Sequence, residues 1–146
     1  MNEKFDTDEK PKIPYRKGRR KMRKRLVILG GGESGVGAAL LGKQKGHDVF
    51  LFDESSLKEG YRNELLQAEI PFAEGTVEEA KIMSADEVVK SPGIPEKNEW
   101  VKKIRAKGIA VISEIELAFR YKGESKIIAI TGSNGKSTTT ALTYHI

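Results

Sequence analysis

Lys136, Ser137 and Thr138 are the side chains of this sequence best suited to handling phosphate. They follow Thr131, Gly132, Ser133, Asn134 and Gly135, and they open a helical pattern. A β-branched, apolar run over residues 126–130 leads into the loop. Strand, glycine-rich loop, lysine, hydroxyl and helix together form the layout of a nucleoside triphosphate cradle. Gly132 and Gly135 let backbone N–H groups turn toward phosphate oxygens, and the helix N-terminus adds partial positive charge. Lys136 reaches the terminal phosphates and the Ser137 hydroxyl is a ligand for Mg²⁺. The usual loop has a glycine five residues before the Gly-Lys pair, where this chain has Ile130, so the loop is a shortened form. A simple turn before a helix would need the glycines but not the lysine and hydroxyls.

A second glycine cluster lies near the start. Gly30, Gly32 and Gly35 fit G-x-G-x-x-G between a strand pattern and a helix pattern, and Asp53 ends the next strand pattern. That spacing suits a tight turn, a close backbone approach to a diphosphate, and a carboxylate for a ribose or base. Taken alone it suggests NAD. The glycines could also serve only the packing of helix on strand. Ser91, Pro92 and Gly93 form a further turn at the end of a strand pattern.

The elements that carry these residues alternate. Strand patterns fall at residues 26–29, 48–53, 70–73, 87–89 and 110–112. Helical patterns fall between them: from Val36 through Leu41 to a stop at Gly46, then 57–68, 77–83 and 97–107. In the second of these helices Leu57, Tyr61, Leu65 and Leu66 are expected on one face. Ser113 and Glu116 form a capping box that opens another helix. Alternation of this kind predicts a parallel sheet with right-handed crossovers. The fold class expected is α/β, a Rossmann-like parallel sheet with flanking helices over residues 24–122. Residues 123–146 would supply the first strand, phosphate loop and helix start of a second ATP-binding α/β domain, too short to close alone.

The chain has 146 residues and no cysteine, which excludes disulfides, thiolate catalysis and Cys-ligated zinc. No apolar run approaches membrane-helix length and no signal peptide is evident, so a cytoplasmic location is expected. His47 and His145 have no partners at metal-ligand spacing. The net charge of +5 is concentrated at the start: residues 1–25 hold eleven Lys/Arg against four Asp/Glu. That leaves the remainder at −2. Eight of residues 16–25 are basic, a run that could meet nucleic acid or an anionic surface. Without interleaved aromatics, the expectation is a disordered, solvated extension over residues 1–23 and no nucleic-acid partner. Met22 is an alternative start.

The short loop Thr-Gly-Ser-Asn-Gly-Lys-Ser-Thr at 131–138 resembles the ATP loop of the Mur ligases, which build the peptide stem of bacterial cell wall. Ser-Pro-Gly-Ile-Pro at 91–95 and Ile-Ser-Glu-Ile-Glu-Leu at 112–117 extend the resemblance. The Ser133-Asn134 pair is most similar to the D-glutamate-adding branch. The resemblance implies an ATP- and Mg²⁺-dependent amide ligase, working as a monomer on UDP-N-acetylmuramoyl-L-alanine and D-glutamate through an acyl phosphate. It implies that Gly132, Ser133, Asn134, Gly135, Lys136, Ser137 and Thr138 hold ATP, with Lys136 catalytic and Ser137 on the metal. It changes the first ligand from NAD to a uridine diphosphate sugar. Gly32, Glu33, Ser34 and Gly35 would meet the diphosphate or uridine, Asp53 the uracil-ribose end, and Ser91, Pro92 and Gly93 the substrate pocket. Glu33 departs from that role, because a carboxylate beside a diphosphate is repulsive. A sibling ligase adding another residue and an NAD(H)-binding regulatory module are the alternatives.

Overall fold

The computed structural model describes residues 23–144. The proposed basic extension, Met22 and His145 lie outside or at the margin of that range. Five parallel strands form one sheet: β1 (Arg25–Leu29), β2 (Asp48–Asp53), β3 (Phe72–Glu74), β4 (Glu87–Lys90) and β5 (Ala110–Ser113). Their order across the sheet is β3-β2-β1-β4-β5. The chain therefore winds outward from β1 in one direction, then returns to the other side of β1 to place β4. The reversal lies between β1 and β4, whose registers pair Leu26 with Glu87 and Leu29 with Lys90.

Helices α1 (Glu33–Gln44), α2 (Glu59–Gln67), α3 (Glu79–Met83), α4 (Glu99–Ala106) and α5 (Glu114–Tyr121) connect or follow the strands. The side-chain alternation of β1 explains why both faces of the sheet are covered. Leu26 and Ile28 enter one core with Val36, Ala39, Leu65 and Leu117, while Val27 and Leu29 enter the other with Ile82, Val101 and Ile104. A strand buried on both sides must read as a continuous apolar run, and residues 26–29 do. Gly42 gives α1 its close seat, since a Cβ there would meet Leu26 Cδ2 at 2.8 Å. Gly46 ends the helix at φ 84°, and the His47 N–H donates back to the Gly42 carbonyl at 3.0 Å.

Ser113 caps α5 as expected, its Oγ accepting from the Glu116 N–H at 3.2 Å. The reciprocal half of the capping box is replaced, because Glu116 pairs with Arg120 at 2.8 Å. Two expectations need correction. Leu66 is 59% exposed, whereas Leu65 is fully buried, so the face of α2 is narrower than the sequence suggested. Residues 126–130 form no strand, and Ile127 and Ile128 are exposed. A strand exists only by pairing, and no neighbour is offered to this segment among the described residues. The helix after the loop does form, as α6 (Lys136–Tyr144), with no residue of it buried.

Candidate functional site

The carboxyl ends of β1, β2 and β4 converge where the strand order reverses, the position at which open α/β sheets bind ligands. The glycines there have distinct duties. Gly30 turns the chain at φ 98°, and its N–H donates to the Phe52 carbonyl at 2.8 Å. A Cβ on Gly30 would meet Ser91 Oγ at 2.7 Å. Gly35 faces inward, where a Cβ would overlap the Gly30 carbonyl and stand 3.1 Å from Ser91 Oγ. Gly32 is different: nothing lies within 4 Å of a Cβ there, and its extended backbone forms the N-cap of α1. Gly30 and Gly35 therefore allow strand and helix to touch, and Gly32 opens the loop outward.

Asp53 organises this loop. Its Oδ2 accepts from the Gly31 N–H at 2.6 Å and its Oδ1 from the Ser55 N–H at 2.7 Å. The carboxylate expected to meet a ribose or base is thus already bound to its own chain, although each oxygen keeps a lone pair for a hydroxyl. Two clefts flank it. One, of about 210 Å³, lies toward Gly93, Ile94, Asn98 and Trp100. The other, of about 270 Å³, lies toward Gly32, Glu33, Lys58 and Tyr61. Glu33 is exposed in the first turn of α1, where a carboxylate is favoured by the helix dipole. That accounts for its presence without a ligand.

Ser34, expected at the diphosphate, donates to Glu114 Oε1 at 2.9 Å, tying the glycine loop to the start of α5. Ser91 is buried, and its Oγ has no hydrogen-bond partner among the described residues. Pro92 and Gly93 are exposed, in a turn closed by the Ile94 N–H donating to the Ser91 carbonyl at 3.0 Å. Lys90 holds the turn from beneath: its Nζ donates to the Ile94 carbonyl at 2.7 Å and lies 3.5 Å from Glu96. Sequence reasoning singled out neither Glu114 nor Lys90. The strand-end position of Lys90, immediately before Ser-Pro-Gly, was the available signal. On the far side of Asp53, Glu74 accepts from the Leu57 N–H at 2.5 Å and from Arg62 at 2.7 Å. The Arg62 hydrogen bond, then the Leu57 N–H, hold the Glu74 carboxyl below its ordinary value.

The second phosphate loop stands apart from this cluster in sequence. Gly132 and Gly135 take positive φ values of 152° and 76°, conformations that favour glycine. The Lys136 ammonium donates to the Gly132 carbonyl, so the charge sits within the loop. The Thr139 N–H donates to the Gly135 carbonyl at 2.9 Å as α6 begins. Ser133, Asn134, Ser137 and Thr138 are all exposed. A lysine and exposed hydroxyls at a helix start are a donor set that fits a triphosphate and its Mg²⁺.

A family model described as the MurD-like N-terminal domain of Mur ligases matches residues 24–113, the whole of the sheet and its glycine loop. The chain belongs to the Mur ligase family. It is 59% identical over 126 residues to a UDP-N-acetylmuramoylalanine--D-glutamate ligase of Cytophaga hutchinsonii, covering 86% of this chain and 28% of that protein. A ligase of the same name from Bacteroides fragilis is 54% identical over 123 residues, covering 84% of this chain and 28% of that one. The chain thus spans little more than a quarter of the length of the curated Mur ligases it matches. Among solved structures, a pseudomurein peptide ligase type C from Methanothermus fervidus superposes with TM-score 0.61 at 28% identity, over 80% of this chain and 24% of that one. The UDP-N-acetylmuramate-alanine ligase of Thermotoga maritima superposes with TM-score 0.63 over 84% of this chain and 29% of that one. At 22% identity it supports the α/β fold alone.

Proposed function

We propose that this chain is the opening portion of an ATP-dependent ligase that adds D-glutamate to UDP-N-acetylmuramoyl-L-alanine. The observation that carries the reading is the pairing of two phosphate loops. An outward-facing glycine loop sits at the reversal of a MurD-like sheet, and a short Gly-Lys-Ser loop follows it. We divide the chain accordingly into a UDP-sugar domain at 24–122 and the start of an ATP-binding domain at 123–146.

In this reading Gly32 and the N-terminus of α1 receive the diphosphate, because no side chain caps this helix start and nothing lies within 4 Å of a Cβ at Gly32. Gly35 and Ser34 hold the loop in shape, through close packing and the bond to Glu114. Asp53 keeps the loop closed while offering its remaining lone pairs to the uridine end. Ser91 brings to the same edge a buried hydroxyl with no hydrogen-bond partner among the described residues, beside Pro92 and Gly93. The reaction joins the alanine carboxylate to the amine of D-glutamate through an acyl phosphate, releasing ADP and phosphate. Lys136 neutralises charge on the transferring phosphoryl group, which is the principal task in such chemistry. Ser133, Asn134, Gly135 and Thr138 shape the cradle, and Ser137 is a ligand for Mg²⁺, which supplies further charge neutralisation when bound. A cytoplasmic location belongs to the same proposal, since ATP and nucleotide sugars are supplied there. None of the described helices is long and apolar enough to cross a membrane.

The test is ligation by a protein in which this sequence is continued to the length of its relatives. D-glutamate-dependent ADP release with UDP-N-acetylmuramoyl-L-alanine as acceptor supports the reading. Release that depends on another amino acid and ignores D-glutamate assigns the chain to a sibling ligase.

A further inference from the structure

The amino-terminal edge of the sheet, opposite the glycine loops, carries a basic cleft that the ligase reading does not use. The cleft has a volume of about 720 Å³, and its lining includes Arg23, Lys24, Lys45, His47, Arg120 and Tyr121 together with Glu87. That volume is within the range of small-molecule sites. The formal charge of the lining is +3 with His47 neutral: four cations less one carboxylate.

The acids of this edge are already engaged. Asp48 pairs with Arg25 at 2.6 Å, and Asp86 accepts the Arg25 N–H at 2.7 Å. Glu87 binds Arg120 through both oxygens, at 2.9 and 2.8 Å. Arg23, Lys24 and Lys45 make no ion pair with any described residue. Lys45 instead lies over the Tyr121 ring, 5.4 Å from its centroid, and the Tyr121 hydroxyl is 2.6 Å from His47 Nε2. The cleft thus brings to one mouth three cations that have no carboxylate partner among the described residues, with an imidazole–phenol pair inside it. Helix C-termini favour nearby cations, which explains Lys45 after α1 and Arg120 in the last turn of α5. The same effect does not explain Arg23 and Lys24, which precede β1 and close a sequence run with eight basic residues in ten.

We propose that this cleft binds a compact anion bearing two or more phosphates. Several cations with no ion pair among the described residues, around a concave, nucleotide-sized volume, call for clustered charge rather than a single carboxylate. Two sources present such chemistry: a soluble polyphosphate compound and the phosphate headgroups of an anionic lipid surface.

The experiment uses the whole 146-residue chain at about 0.15 M salt, where distant surface charges are screened. Tripolyphosphate is titrated by calorimetry, and phosphatidylglycerol vesicles are compared with phosphatidylcholine vesicles by sedimentation. Lys45→Glu should weaken binding about tenfold, since it reverses a charge in contact distance of the anion. Lys24→Gln combined with Lys45→Gln should weaken it comparably without placing a carboxylate at the end of α1. Lys81→Glu, the same net-charge change on α3, should alter it by less than about twofold. The loss from Lys45→Glu should persist in a Lys136→Ala background, where the ATP loop no longer contributes to tripolyphosphate binding, which separates this cleft from that loop. Saturable tripolyphosphate binding alone identifies a soluble anion, and vesicle binding displaced by tripolyphosphate identifies a headgroup. Either supports the proposal. Binding to neither probe would overturn it. So would equal losses in Lys45→Glu and Lys81→Glu, or a loss confined to Lys136→Ala.

Discussion

Replacing Gly35 by alanine and, separately, Gly32 by alanine should produce opposite outcomes in folding and in ligand binding. At Gly35 the new Cβ would overlap the Gly30 carbonyl oxygen and stand 2.9 Å from the Gly30 carbonyl carbon and 3.1 Å from Ser91 Oγ. Two of those three atoms are backbone of the turn that follows β1, and that turn is tied to β2 through the bond from Gly30 to Phe52. Neither side can yield cheaply. Overpacking a tight site costs about 1–3 kcal/mol, and a clash with backbone belongs at the upper end. With a urea m-value of about 2 kcal/mol/M for a domain of this size, a loss of about 3 kcal/mol lowers the midpoint by about 1.5 M. At Gly32 the Cβ meets nothing within 4 Å, and the φ of −75° suits any residue. The cost there is that of a poorer N-cap, about 0.5–1 kcal/mol. The same methyl would stand in the path of a diphosphate approaching α1. Gly32→Ala should therefore remain folded and lose affinity for the sugar nucleotide. Paired urea melts followed by fluorescence of the single Trp100, with circular dichroism as a second probe, measure both costs. Equal midpoints for Gly35→Ala and the parent chain would refute the close-approach argument. A loss of 3 kcal/mol at Gly32 would show that the loop packs against something else.

Three further outcomes are expected. Asp53→Asn turns one carboxylate oxygen into an N–H₂ facing a backbone N–H, so Gly31 or Ser55 loses its acceptor. A loss of about 1–3 kcal/mol in chemical denaturation is expected, and an unchanged midpoint would show that the latch is not formed. Because its folded-state pKa is lowered, Glu74 contributes stability that is complete above the ordinary glutamate value of 4.5 and disappears as pH falls through the lowered value. Glu74→Gln should remove that part of the acid dependence, read as a flatter stability–pH curve below pH 5, and an unaltered curve would count against the Arg62 bond. In a protein of full length, Lys136→Ala should reduce ligation by about 10²–10³ while sugar-nucleotide binding stays near the parent value, and a joint loss of both would contradict separate sites.

Much of the sheet was legible because its strands are buried on both faces, so apolar runs and the intervening glycines mark them directly. Residues 26–29 and 49–52 illustrate this: their side chains alternate between two cores, and both alternating sets are apolar. The G-x-G-x-x-G spacing located the loop, but it did not separate Gly35, which serves packing, from Gly32, which faces open space. That distinction depends on where Ser91 and α1 lie in three dimensions. The bond from Ser34 to Glu114 joins residues 80 positions apart, so no local pattern announces it. The occupation of Asp53 by Gly31 and Ser55 was hidden for a related reason: a strand-end carboxylate looks the same whether it binds a ribose or its own loop. The failure at residues 126–130 has another cause. The segment has the composition of a strand, but composition supplies no hydrogen-bonding neighbour, and Ile127 and Ile128 remain exposed.

The central claim is that the glycine loop at the reversal between β1 and β4 serves a uridine diphosphate sugar and not a nicotinamide dinucleotide. Parallel calorimetric titrations of this chain with UDP-N-acetylmuramoyl-L-alanine and with NADH test it most directly. The account predicts saturable binding of the sugar nucleotide, weakened in Gly32→Ala, and no comparable heat from NADH. Tighter binding of NADH than of the sugar nucleotide would contradict it.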